Sequence, residues 1–506
     1  MTSKSATRSG TGIDIAIRKA TVCDGSGRAL RSADVGLAGD RIVAVDDVPP
    51  ARREVDAAGL LLTPGFVDVH SHDDFAVLVE PEMAFKVAQG VTTCVVGNCG
   101  LGVVPYDIGV QRFRLYYPDA SPTPWSGFGE YFNRVTDAAP TINVAVLVGH
   151  GSLRRGAMGV ANRAPSRDEM RLMQGWLEEG IDAGVSGLSS GLVYEPGRYA
   201  SAQEIVQLAQ PIADAGGIYT THIRNEAGGL LDSIAEAIAV GRATRVPLQV
   251  SHLKASGHDN CGRVKEALRL MDDARQDGLR VSHDAYPYTA ASTYLSALKE
   301  SLIREDGSMD GEWGRVSVSD VLIASCPPQP VYEGRRLSEL AEFWRVGYSQ
   351  ARDRLLTETG DATFIVLFAM CEEDVQAALT HPAGMIGSDG VPGVGAKPHP
   401  RLFGTFPRVL SRYVRESQLF TLPEVVRRMT SLPAQTFGLA NRGLIEVGAF
   451  ADLVLLDPNS VKDRATYDSP QQTPEGIHKV FVNGQLVVDE GHITASRPGR
   501  VLRRSN

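Results

Sequence analysis

The chain is 506 residues long, 43% hydrophobic and 22% charged, a composition that suits a soluble globular protein and excludes a disordered or fibrous one. Its net charge of −9 excludes nucleic acid as the expected partner, because phosphate binding needs concentrated Lys and Arg, and leaves a small molecule. No apolar run approaches the ~20 residues that span a bilayer, and the first dozen residues, MTSKSATRSGTG, lack the apolar segment of a secretory leader, so a cytoplasmic location without membrane association is expected.

Residues 12–62 alternate apolar and polar positions between Gly and Asp turn signals, as in IDIAIRKATVCDG and ADVGLAGDRIVAVD, which predicts short strands. The same texture returns after about residue 445 in GLIEVGAFADLVLLDP and HKVFVNGQLVVDEG. The two ends are therefore expected to pair into one small β-sandwich, residues 1–62 giving one part and 441–506 the other. Between them, eight apolar runs alternate with helical patterns: GFVDVHSH, VTTCVVGNCG, INVAVLVGH, GVSGLSSGLVY, GIYTTHIRNE, PLQVSHLK, LRVSHDAYPY and AGMIGSDG. Helices are predicted at 166–184, 201–217 and 263–278, each ending at Gly. Eight βα units predict an α/β fold, a (β/α)8 TIM-like barrel over 63–440. The gap after the seventh run is too long for one crossover helix, so 288–345 is read as an insertion over the barrel mouth, with a helix at 335–357 returning to the fold.

Metal-capable residues fall at the ends of these runs. His70 and His72 close the first, Cys99 the second, His150 the third, His222 the fifth, His252 the sixth and Asp389 the eighth. In such barrels the C-terminal strand ends build the site, so seven residues remote in sequence share one face. Side chains at i and i+2 of a strand point the same way, which lets His70 and His72 reach one ion. Imidazole and thiolate are good zinc ligands. No lysine occurs between Lys86 and Lys254, so a carboxylated lysine on the fourth strand cannot bridge two metals here. Cys99 is the natural substitute, with a buried inert thiol as the other reading and Glu195 as a further candidate ligand; Cys94 reads as core. The six cysteines, scattered at 23, 94, 99, 261, 326 and 371, make no dense framework and are expected as thiols. Asp389, in IGSDG between Gly387 and Gly390, is suited to take a proton from the attacking water and return it to a leaving nitrogen. A turn-capping Asp is the plainer reading.

The ordered set TPGFVDVHSHDD, VVGNCG, THIRNE, SHLK, DAYPY, GSDG and HPRLFGTFPRVL resembles the D-aminoacylase (N-acyl-D-amino-acid deacylase) group of the amidohydrolase superfamily, from about residue 12 to 490. The resemblance implies zinc-dependent hydrolysis of N-acyl-D-amino acids to a carboxylate and a free D-amino acid. It also implies one tight zinc held by Cys99, His222 and His252 and a second, weaker position near His70, His72 and Asp389. Positions matching Lys254, Tyr286 and Arg401 face the substrate carboxylate, and those matching Tyr194 and Ser292 line the pocket. Arg224 is a further polar candidate at the same face, and His150 is open between substrate contact and structural hydrogen bonding. Members acting on acidic substrates would place an arginine near ASTYLSAL; this chain has Tyr294, Leu295 and Leu298 there, with Lys299 and Arg304 further on, which favours an apolar or aromatic side chain. The insertion is expected to act as a lid, with Tyr294 and Leu295 touching substrate. The alternatives are an amidohydrolase of another acylated or cyclic amide, against which the missing lysine speaks, and a non-catalytic scaffold on the same fold, against which the full ligand set speaks.

Overall fold

A computed structural model describes residues 12–393, 395 and 397–504; the polar stretch at residues 1–11, on which the leader reading rests, lies outside the described residues. Eight parallel strands form one continuous ladder: β1 Phe66–Asp68, β2 Val91–Val96, β3 Asn143–Gly149, β4 Gly187–Gly191, β5 Ile218–His222, β6 Leu248–Val250, β7 Val281–Ala285 and β8 Gly384–Ile386. Each lies inside one of the eight apolar runs. Every residue in them except Ser282 is buried, as strands covered on both faces require. The ladder closes just beyond the strand ends. Asp389 N donates to His70 O at 2.7 Å and His72 N donates to Gly390 O at 3.0 Å, so the seam that shuts the barrel is built from site residues.

The predicted helices form at Arg167–Ala183, Ala202–Asp214 and Val264–Gln276. Ser166 and Ser201 accept from the backbone N–H groups of Glu169 and Glu204, which satisfies donors the first turn would otherwise orphan. Gly184 ends the first of these helices with φ 96°, a conformation only glycine adopts without strain.

Both chain ends enter one mixed nine-stranded sheet. Its junction is Leu61–Pro64 antiparallel to Leu453–Leu456, and Ile17, Val35, Leu62, Leu453 and Phe481 share its core.

The excursion between β7 and β8 carries its own architecture. Strands Ala291–Tyr294, Phe364–Leu367 and Val321–Ser325 form an antiparallel sheet with Phe364–Leu367 in the middle, so the unit runs past residue 345. The helix expected at 335–357 is two helices, Leu337–Trp344 and Tyr348–Thr359, broken where Arg345 turns left-handed at φ 55°. Neither packs as a barrel helix. Leu337, Leu340, Ala351 and Leu355 face the insertion's core with Leu295, Leu298 and Ile365, and the crossover into β8 is made by Glu372–Thr380.

Leu295 belongs to that core, fully buried, and not to the pocket, which corrects its expected role as a substrate contact. Leu295→Ala should cost about 2–5 kcal/mol of stability through the cavity it leaves. Denaturant unfolding reads the loss, and an altered substrate ranking with undiminished stability would contradict this placement.

The expectation of six thiols is also corrected. Cys261 and Cys371 are joined in a disulfide between the segment after β6 and the N-terminal cap of helix Glu372–Thr380. The partners are 110 residues apart, and only the barrel order sets them side by side. Cys23, Cys94, Cys99 and Cys326 are free and buried.

Candidate metal centre

Two donor groups meet at the C-terminal mouth of the barrel, one of His70, His72, Cys99 and Asp389 and the other of Cys99, His222 and His252. Cys99 belongs to both. Its Sγ lies 3.3 Å from His70 Nε2 and 3.4 Å from His252 Nε2. Asp389 Oδ1 lies 3.1 Å from His72 Nε2 and 3.5 Å from His70 Nε2.

The backbone aims these groups in a way strand alternation does not supply. Of the group, only His222 is still inside a strand; His70, His72, Cys99, His252 and Asp389 all lie past their strand ends. Cys99, His252 and Asp389 have φ of 55°, 36° and 49°, the left-handed region that costs a non-glycine residue energy and clusters at functional sites. Gly387 makes the approach at the closing seam possible, since a Cβ there would come within 2.7 Å of His70 Cβ.

Charge and protonation fit a cation. Burial lowers the pKa of His222 and His252 well below the usual imidazole value, which keeps them in the neutral form a metal needs. Both ring nitrogens of His222 are buried without a hydrogen-bond partner, and a bound ion would remove that cost at one of them. Burial pushes the Cys99 thiol up, so its thiolate calls for a positive neighbour. Burial also opposes the charge of Asp389, but Arg401, His252 and His70 outweigh it and hold the carboxyl well below the usual range. A donor set of one sulfur and two imidazoles matches zinc.

Around the donors, Lys254, Tyr286, Arg401, Tyr194 and Ser292 all line the same pocket. Arg401 Nη1 is 2.9 Å from Asp389 Oδ2 in an ion pair without hydrogen-bond alignment, and its guanidinium lies 4.6 Å from the Tyr286 ring centre. The Tyr286 hydroxyl is buried with no partner. Tyr194 packs edge-on to His222 with ring centres 5.0 Å apart. Lys254 faces the site from the loop beyond β6, which ends at Val250, four residues earlier. Its Nζ reaches Glu226 at 2.6 Å and His252 Nδ1 at 2.8 Å.

Two candidates are not brought to the pocket, His150, for which the structural hydrogen bond left open by the sequence is the one that forms, and Arg224. His150 Nε2 is 2.8 Å from Glu204 Oε1 in a buried cluster with Arg154, because helix His150–Met158 begins at that residue and turns the ring away. Arg224 pairs with Glu236 at 2.8 Å and donates to the carbonyls of Arg198 and Ala200. Glu195 accepts from Tyr199 and lies in none of the donor groups.

Other functional groups escaped the sequence reading. Glu226, four residues after His222 in THIRNE, carries His252 and Lys254, and Asp284, in DAYPY, sits 3.3 Å from His70 Nδ1. Such carboxylates fix the orientation of liganding imidazoles. Trp313, Thr293 and Phe364 come from the insertion, beside Tyr294, already expected near the substrate from the sequence, and Arg112 and Tyr116 from helix Tyr106–Tyr116 after β2.

The amidohydrolase family model matches residues 53–308 and 269–488 of this chain. The N-acyl-D-glutamate deacylase of Alcaligenes xylosoxydans xylosoxydans is 39% identical over 97% of this chain and 97% of its own length. The chain belongs to the amidohydrolase family, in its D-aminoacylase group. Among solved amidohydrolases, the N-acyl-D-glutamate deacylase of Bordetella bronchiseptica, complexed with zinc and a phosphonate mimic of the tetrahedral intermediate, is 38% identical with TM-score 0.86, covering 97% of this chain and 100% of that one. A D-aminoacylase with a binuclear metal centre is 37% identical with TM-score 0.86 over the same shares. The mouth of this barrel holds donors arranged to meet a metal ion. Among the described residues, no helix is long and apolar enough to cross a membrane.

Proposed function

We propose that this amidohydrolase cleaves the linear amide of N-acyl-D-amino acids, releasing a carboxylate and a free D-amino acid. The observation that carries the reading is the convergence, in one pocket, of the Cys99, His222 and His252 donors, the Asp389 carboxylate and the cations Arg401 and Lys254 beside the Tyr286 hydroxyl. Relatives named as D-aminoacylase and as deacylases of N-acyl-D-glutamate and N-acyl-D-aspartate support it. One tight zinc would sit on Cys99, His222 and His252, with a second, weaker ion on His70, His72 and Asp389 sharing Cys99. Zinc there supplies Lewis-acid polarisation of the scissile carbonyl and lowers the pKa of water to about 7.

The chain's own residues do the rest. Arg401, Lys254 and the partnerless Tyr286 hydroxyl receive the α-carboxylate, a charge-assisted clamp that fixes the amide relative to the donors. Asp389 accepts the proton of the attacking water and delivers it to the nitrogen as the C–N bond breaks, one carboxylate acting as base and then as acid. Tyr194 and Ser292 border the substrate.

The test is amine release from paired N-acetyl-D- and N-acetyl-L-amino acids, with hydantoin and dihydrouracil alongside. Turnover confined to the linear D substrates is expected. Comparable rates on the L series, or hydrolysis of the cyclic amides alone, would overturn the reading.

A further inference from the structure

Three basic side chains other than histidine line the pocket: Arg112, Lys254 and Arg401. Two are already matched with carboxylates, Lys254 with Glu226 at 2.6 Å and Arg401 with Asp389 at 2.9 Å. For Arg112, no carboxylate among the described residues lies within ion-pair distance. Its Nε donates to the Tyr116 hydroxyl at 3.0 Å, Tyr116 is hydrogen-bonded to Tyr294, and the guanidinium sits 5.1 Å from the Tyr294 ring centre. These contacts hold the guanidinium plane in place while leaving its two terminal nitrogens without a protein partner among the described residues.

A half-buried guanidinium among aromatic rings loses hydration, and a carboxylate with bidentate geometry is the ligand that best replaces it. The cations of the insertion do not compete for that role. Arg304 pairs with Asp310, Arg315 with Asp259 and Asp310, and Lys299 is exposed. An apolar preference followed from the lack of arginine near Tyr294, yet the fold brings one there from a helix more than 170 residues earlier in the chain.

Building on the deacylase reading, we propose that Arg112 is a specificity-determining residue that receives a second carboxylate of the substrate, so that the preferred substrates are dianionic N-acyl amino acids. The second carboxylate belongs either to an acidic amino-acid side chain or to a dicarboxylic acyl group. Both present the same chemistry to the guanidinium. Tyr116 and Tyr294 are positioning residues that orient it.

The test measures kcat/KM of the zinc-loaded enzyme on two matched pairs: N-acetyl-D-glutamate against N-acetyl-D-glutamine, and N-succinyl-D-leucine against N-butanoyl-D-leucine. Wild type should favour the dianion in at least one pair, and the pair that responds identifies the source of the carboxylate. Arg112→Met and Arg112→Gln should cut that preference by about 10-fold to 100-fold, the worth of a charge-assisted contact, with Arg112→Lys recovering part of it. Zinc content and thermal melting of each variant separate this effect from misfolding. Equal treatment of dianion and neutral isostere by wild type, or a uniform fall of all four substrates in Arg112→Met and Arg112→Gln, overturns the proposal while leaving the deacylase reading intact. Failure of the wild type to cleave any of the four overturns both.

Discussion

Cys99→Ala should emerge from purification with most of its zinc gone and its turnover reduced by more than ~100-fold, since outer-sphere partners of a metal site alone are worth about 10-fold to 100-fold. The expectation rests on the shared position of Cys99. It is the one residue common to both donor groups, and removing its sulfur leaves His222 and His252 as the only donors of the first group. Two neutral imidazoles hold zinc far less tightly than a set that includes a thiolate. The fold should survive, because the barrel closes through backbone hydrogen bonds of His70, His72, Asp389 and Gly390 that do not involve the thiol. Metal analysis after dialysis, with circular dichroism as the folding control, reads the result. Unchanged zinc in the variant would remove Cys99 from the centre.

Asp389→Asn separates metal holding from proton transfer. The amide is nearly isosteric, keeps a donor or acceptor toward His72, and leaves Cys99, His222 and His252 untouched, so zinc at that group should be retained. What it cannot do is accept the proton of the attacking water. A fall in kcat of ~10²-fold to 10⁴-fold is expected, the usual worth of a general acid–base group. The loss should show in kcat more than in KM, because Arg401 and Lys254, which receive the carboxylate, are still present. A variant with near-wild-type kcat would show that proton transfer runs elsewhere.

The barrel was legible because eight short stretches with buried apolar residues alternate with helical patterns, and because six of the eight carry His, Cys or Asp at or near their ends. The convergence of those residues, His150 excepted, follows from fold geometry. The details beyond the strand ends were not legible. His150 and Arg224 occupy the right place in sequence, but the one starts a helix and the other is drawn to Glu236, and neither direction is visible in a string of residue types. Glu226 and Asp284 lay inside motifs already noticed; a charged residue within a buried strand such as β7 was the signal that could have found Asp284. Arg112 and Trp313 had no such signal. They reach the pocket from a helix after β2 and from the insertion, and only the closed fold sets them beside His72 and His222. The disulfide between Cys261 and Cys371 is hidden for the same reason, as is the break at Arg345 that diverts two helices into the insertion's own core.

The most direct test of the account is a zinc titration of chelator-stripped enzyme, following release of free D-amino acid from an N-acetyl-D-amino acid. Activity should be absent without metal and should rise in proportion to added zinc up to about one ion per chain, with no matching release from the L enantiomer. Full turnover by the metal-free protein, or zinc binding at Cys99, His222 and His252 with no hydrolysis of any N-acyl-D-amino acid, would contradict it.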